Sequence, residues 1–293
     1  MKDLTYKTLA LEQPSEHLLV VRLNRPEVRN AISTQVGLDM LDVFSRLVAD
    51  TQGYRCVVLT GAGDKAFCAG GDLKERHGMT DEQWMAQHAI FERMTLALMD
   101  CPIPVIAAVN GAAFGGGLEL TLTCDFAYAS TAARFALTEI TLGIMPGAGG
   151  TQFLPRAVGS RRAKEIVLTG KPFSAQDALE WGVVNKLCAP EKLMEEALAT
   201  AQAICDNAPI SVRQAKRSMH FGMQMDIRSA LFFEIDAYNK MVSTEDRHEG
   251  VRAFNEKRKP KFDGKLRKRG EAWPELSEED AKRLDEAYRS GEF

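Results

Sequence analysis

Three short apolar runs, His17–Leu23 (HLLVVRL), Cys56–Thr60 (CVVLT) and Pro104–Val109 (PVIAAV), each end in a loop or glycine turn and then give way to a helical segment. After the first comes a loop over Asn24–Ser33. Thr34–Ala49 then carries Val36, Met40, Val43, Phe44 and Leu47 at helical spacing. The second run stops at Gly61-Ala62-Gly63-Asp64. A helix over Asp81–Asp100 is predicted later, ended by Pro102 and Pro104. The third run meets Asn110-Gly111 and Gly115-Gly116-Gly117, then a buried helix over Leu118–Cys124 and a further strand over Asp125–Ala129. Such alternation predicts an α/β fold with a mostly parallel sheet, although no strict repeat is present. Beyond about Gly150 the spacing is helical, with candidates over Ser174–Glu180, Glu191–Asp206, Pro209–Phe221, Ile227–Val242 and Thr244–Lys257.

With 293 residues, 45% of them hydrophobic, the chain can bury a core without disulfide or metal support. A net charge of -3 gives no overall attraction to nucleic acid or anionic membrane. Six dispersed cysteines without a CxxC pair point to a reducing compartment and away from zinc. The N-terminus lacks the apolar stretch of a signal peptide, and no run is long enough to span a membrane, so a cytoplasmic location is expected. The end of the chain changes character. Lys257–Arg269 is strongly basic and Glu271–Phe293 acidic, with a helix expected after Ser277 that carries Ala281, Leu284 and Tyr288 as an apolar stripe.

Chemistry concentrates in FCAGGDLKE (67–75), NGAAFGGGLE (110–119) and TEITLGIMPGAGGTQ (138–152). Gly70-Gly71 follows an apolar run, where the backbone can approach a ligand and aim an N–H at it. The triple glycine opens a helix whose first N–H groups are unpaired and whose dipole is positive at that end. Two N–H groups from separate loops can hold an oxygen that gains negative charge. Neither glycine stretch fits a nucleotide loop, since no Lys-Ser/Thr follows and Gly147-Ala148-Gly149-Gly150 lacks the third glycine of GxGxxG. Glu119 and Glu139 stand in apolar segments, where an ionised carboxylate is costly and a raised pKa suits a general acid or base. A metal site would need further Asp or His nearby, and a glycosidase would need aromatic platforms.

Taken with LNRPEVRNA, KAFCAGGDLKE, PVIAAVNGAAFGGGLEL, CDFAYA, MPGAGGTQFLPR, LTGKPFSAQDALEWGVVNK and EGVRAFNEKRKPKF, these segments resemble the enoyl-CoA hydratase branch of the crotonase superfamily, from about residue 15 to 263. The resemblance implies a crotonase-type spiral of ββα units over 1–195 and a helical trimerisation region over 196–263. Residues 264–293 would be a basic-then-acidic extension. It also implies a homo-trimer or homo-hexamer. By position it makes Gly71 and Gly116 the oxyanion-hole donors, Glu119 and Glu139 the acid/base pair, and Gly147 a holder of the water. Val28, Arg29, Lys65, Ala69, Leu73 and Lys74 match positions along coenzyme A, and Phe254 and Lys257 match positions that reach a neighbouring subunit's nucleotide. The implied activity is hydration of a 2-enoyl-CoA, with the coenzyme carried by the substrate and no separate cofactor. Thr138 stands where many hydratases have proline, and Cys68 beside the loop reads as packing. Other crotonase chemistry, such as double-bond isomerisation or a branched or glutaconyl-type substrate, is the alternative. RNA binding by Lys257–Arg269 is a minor one, with the acidic tail competing for it.

Overall fold

The computed structural model describes residues 4–267 and, beyond them, Glu279, Lys282, Arg283, Glu286 and Arg289. The tail stripe of Ala281, Leu284 and Tyr288 lies outside the described residues. The chain divides into two compact units, Met1–Tyr238 and Asn239–Phe293.

The first unit is built on two sheets. Strands β1 (Leu9–Ser15), β2 (Leu18–Leu23), β3 (Cys56–Gly61), β4 (Ala66–Cys68), β5 (Val105–Val109), β6 (Ala112–Phe114), β7 (Phe126–Ser130), β8 (Arg134–Ala136), β9 (Phe173–Ser174) and β10 (Lys186–Cys188) follow in chain order. Six form one sheet in the order β1-β2-β3-β5-β7-β10, parallel except for the β1–β2 hairpin. The other four form a second sheet, β4-β6-β8-β9. Helices are α1 (Thr34–Ala49), α2 (Leu73–Arg76), α3 (Asp81–Met99), α4 (Gly116–Thr123), α5 (Gly150–Val158), α6 (Ser160–Thr169), α7 (Ala175–Glu180), α8 (Leu193–Cys205), α9 (Pro209–Gly222), α10 (Ile227–Val242) and α11 (Glu245–Asn255).

Alternation along the central strands explains their burial on both faces. Leu19, Val21, Leu23, Val57, Leu59, Val105, Ala107 and Val109 join the main core with Met40, Phe44, Phe91 and Met94 of α1 and α3. Their alternates Leu18, Val20, Cys56, Val58, Ile106 and Ala108 pack instead on Leu193, Ala197, Ala201 and Cys205 of α8. Caps set the ends of the helices. Ser33 accepts from the Val36 N–H at the start of α1, and Thr80 closes a capping box with Gln83 on α3. All six cysteines are buried and free.

The principal strands and long helices fall where the sequence places them, within a few residues. Strands β1 and β10, the second sheet and the short α2 are not among the sequence expectations. β1 contains Pro14 and lies at a sheet edge, the place where a residue without an N–H is tolerated. The second sheet is made of strands of two or three residues, too short to show a period. The sequence shows α5 and α6 only as part of a generally helical region.

In the second unit, α11 is capped by Thr244, and the chain after it folds back. Buried Asp246 accepts the Asp263 N–H at 2.9 Å, and buried Glu249 accepts the Lys261 N–H at 2.9 Å. Of the basic run, Arg258 pairs with Glu249, Lys265 with Asp263 and Arg267 with Glu245. These cations are engaged within their own unit.

Candidate active site

β4 and β6 run side by side in the second sheet, so the loops after them emerge together. After β4, Gly70 takes φ 88°, and a Cβ there would stand 2.8 Å from the Phe114 carbonyl oxygen. Only glycine fits that bend. It is pinned by Ile32, whose N–H donates to the Gly70 carbonyl at 2.8 Å and whose carbonyl accepts the Asp72 N–H at 2.9 Å. After β6, Gly115 caps α4 at φ 52°, with its N–H donating to Ala136. Gly116 is then the first helical residue. Gly71 and Gly116 both line one cavity of about 510 Å³, and neither N–H donates to an acceptor among the described residues.

Glu119, one turn into α4, is buried and lines the same cavity. Its Oε1 accepts the N–H groups of Ala148 and Gly150, each at 2.8 Å. Burial pushes its pKa above the ordinary carboxyl value, against the pull of those two donors and of His88. Glu139 opens a single 3-10 turn, Glu139–Leu142. Both its carboxylate oxygens are shut off from solvent and find no hydrogen-bond partner on any other described residue. Its pKa is pushed up to about 7, chiefly by burial, with the Glu119 charge adding and its own backbone N–H opposing. The two carboxylates therefore stand in contrasting settings, one held by two donors and one bare. A group held by N–H donors stays ionised more readily than one without them.

Gly147, Ala69 and Leu73 also line the cavity. Val28 and Arg29 do not, but the Arg29 carbonyl accepts the Ala69 N–H at 3.0 Å, which ties their loop to the cavity rim. Lys65 and Lys74 are exposed, the first in the turn before β4 and the second on α2. Phe254 and Lys257 belong to the second unit, Phe254 with 84% of its surface exposed. Cys68 is fully buried and its thiol is pushed up to about 12 by burial, which suits packing.

The resemblance puts the helix over 81–99 at the pocket floor without showing which of its side chains face it. Trp84, His88, Phe91 and Met94 of α3 face the cavity, joined by Arg76 from α2. His88 Nδ1 is 2.7 Å from Glu92 Oε1. Helical spacing shows that one face of α3 is buried but not which side chains meet a substrate.

Residues 13–265 match the model of the enoyl-CoA hydratase/isomerase family. The chain belongs to that family. It is 45% identical to YngF of Bacillus subtilis over 251 residues, 85% of this chain and 96% of that one. It is 41% identical to the short-chain-enoyl-CoA hydratase of Clostridium acetobutylicum over 244 residues, 82% of this chain and 92% of that one. The crystal structure of an enoyl-CoA hydratase from Bacillus anthracis superposes with a TM-score of 0.86 at 42% identity, covering 88% of this chain and all of that one. The two-sheet α/β core followed by C-terminal helices is thus the crotonase fold. No helix among the described residues is long and apolar enough to cross a membrane.

Proposed function

We propose that the protein is an enoyl-CoA hydratase, adding water reversibly across the C2–C3 double bond of a 2-enoyl-CoA. The observation that carries this is the pair Glu119 and Glu139 on one cavity, each with a raised pKa and only one held by N–H donors. Hydration needs a carboxylate to take a proton from water and a carboxylic acid to give one to C2. Glu119, stabilised as an anion by Ala148 and Gly150, takes the water proton as oxygen bonds to C3. Glu139, at about 7, delivers its proton to C2. The thioester oxygen gains charge in between, and the N–H groups of Gly71 and Gly116 hold it. The step balances: one O–H bond of water breaks, its OH bonds to C3 and its proton goes to Glu119, while Glu139 gives its proton to C2, so the pair holds one proton before and after.

The C. acetobutylicum relative's name as a short-chain-enoyl-CoA hydratase supports the same reading. Coenzyme A comes with the substrate, along the rim formed by Val28, Arg29, Lys65, Ala69, Leu73 and Lys74, and no other cofactor takes part. Incubating the protein with crotonyl-CoA in H₂¹⁸O should give 3-hydroxyacyl-CoA with label at C3. Double-bond migration without label would assign isomerisation instead.

Assembly into a trimer or hexamer belongs to this proposal. Met219, Ile227, Leu231, Phe232 and Ile235 are all exposed on α9 and α10, more apolar surface than a monomer normally leaves in water. Exposed Phe254 and Lys257 are then available to a neighbouring subunit's nucleotide. Light scattering should give three or six times 32.4 kDa, and a stable monomer would refute it. The six buried, free cysteines support a reducing, cytoplasmic setting.

A further inference from the structure

Arg76 is out of place against a hydrocarbon chain. It lines the cavity among Leu73, Trp84, Phe91, Leu142 and Ile144. Its guanidinium carbon lies 4.2 Å from the centre of the Trp84 ring and 5.5 Å from that of Phe91. Its Nε donates to Gln87 Oε1 at 2.8 Å. Gln87 is buried, and its amide nitrogen donates to Thr34 Oγ1 and Glu75 Oε2, which leaves the amide oxygen for Arg76. Glu75 Oε2 also accepts the Thr34 N–H. Among the described residues, no carboxylate forms an ion pair with Arg76 and nothing accepts from Nη1 or Nη2. Burial holds the guanidinium below its ordinary pKa, with the charge of Glu75 opposing only in part.

Position matters as much as charge. Nη1 lies 3.3 Å from where a Cβ on Gly71 would stand, beside the N–H proposed to hold the thioester oxygen. Four carbon–carbon bonds span roughly 5 Å. A thioester oxygen on Gly71 thus leaves the far end of a short acyl group within reach of the guanidinium.

We propose that the acyl group of the substrate ends in a free carboxylate bound by Arg76: the mono-CoA thioester of an unsaturated dicarboxylic acid of about five carbons. This deepens the hydratase reading and rests on it. A guanidinium whose Nε is engaged still presents Nη1 and Nη2 as a fork matched to two carboxylate oxygens. Trp84 and Gln87 already hold it in place, so little ordering remains to be done on binding. Arg76 also answers a problem of charge, since a second anion would otherwise enter a cavity that already holds two glutamates.

The test compares glutaconyl-CoA with 5-methylhex-2-enoyl-CoA, in which an isopropyl group replaces the carboxylate. For the wild type, kcat/KM should favour glutaconyl-CoA at least tenfold. In Arg76→Met that ratio should collapse or invert, and Arg76→Lys should keep part of it. A wild type preferring the isopropyl compound, or a ratio unchanged by Arg76→Met, overturns the proposal. Calorimetry with the saturated analogues glutaryl-CoA and 5-methylhexanoyl-CoA reads the same preference as affinity and does not depend on turnover. If neither enoyl thioester is hydrated, the hydratase reading fails, while the calorimetric ratio still decides the role of Arg76. Equal affinities there overturn it.

Discussion

The cavity has two unlike walls. One is made by backbone: the loop ends at Gly70-Gly71 and Gly115-Gly116, and the stretch after Pro146, where the N–H groups of Ala148 and Gly150 grip Glu119. The other is made by side chains of α2 and α3: Arg76, Trp84, His88, Phe91 and Met94. The backbone wall is rigid because its atoms also belong to the packing. A Cβ on Gly117 would stand 2.1 Å from the Cys68 carbonyl oxygen, so β4 and α4 touch with no room to move. The α3 wall is held by rotamers and stacking, and a single substitution can reshape it. Labour is thus divided: the backbone wall sets the reaction, and the side-chain wall sets what is admitted.

The largest test of this division removes proton transfer while preserving shape. Glu119→Gln and Glu139→Gln should each lower kcat on the order of 10²–10⁴-fold, with KM little changed. The double variant should lose less than the product of the two, because both act on one transition state. Steady-state kinetics on one enoyl-CoA suffice. If a single variant kept most of its activity, that carboxylate would not be part of the reacting set.

A smaller effect, about tenfold per pH unit, follows from Glu139. Hydration needs it protonated, and its pKa stands at about 7. The kcat/KM for hydration should therefore fall as pH rises through about 7, and that for dehydration should rise. Stability carries the same sign. The folded value is above the ordinary 4.5, so the contribution of Glu139 is fully present below about 4.5 and is lost as pH rises through about 7. Glu139→Gln should melt higher than wild type at pH 8 by a few degrees and show no such gain at pH 4. A flat pH–rate profile across 6 to 8 would show that the bare carboxylate is not the proton donor.

The two walls were not equally legible in the sequence. A glutamate inside FALTEITLGIMP or GGGLEL is anomalous on its own terms, because burial of a carboxylate needs a reason. Glycine pairs after apolar runs mark bends that other residues cannot make. Those signals are local, and the residues that carry them do line one cavity. Trp84, His88 and Arg76 give no such signal. Each is ordinary on a helix, and only the packing of α2 and α3 across the loop ends turns them toward the site. The short strands of the second sheet were hidden for a similar reason, since two or three residues gain strand geometry from their neighbours rather than from any pattern of their own.

The smallest expected effect lies where the walls meet. A Cβ on Gly147 would come within 2.5 Å of His88 Nε2, so this loop residue and the α3 side chain are in contact. Gly147 is not in the left-handed region, so alanine keeps the backbone and the N–H proposed to hold water. What must yield is the tip of a side chain. The imidazole can turn aside at the loss of its contact with Glu92, an exposed pair of the kind that contributes about 0–1 kcal/mol. Gly147→Ala should therefore lower kcat/KM only about 2- to 5-fold, the order expected when a loss of that size is felt in the transition state. With His88→Ala the clash disappears, so adding Gly147→Ala in that background should cost almost nothing. A double-mutant cycle should return a coupling at the low end of the roughly 0.5–3 kcal/mol typical of touching residues. Should Gly147→Ala lose a hundredfold or more with His88 already removed, the loop would be failing by itself. Its wall would then be less rigid than the packing at Gly117 implies.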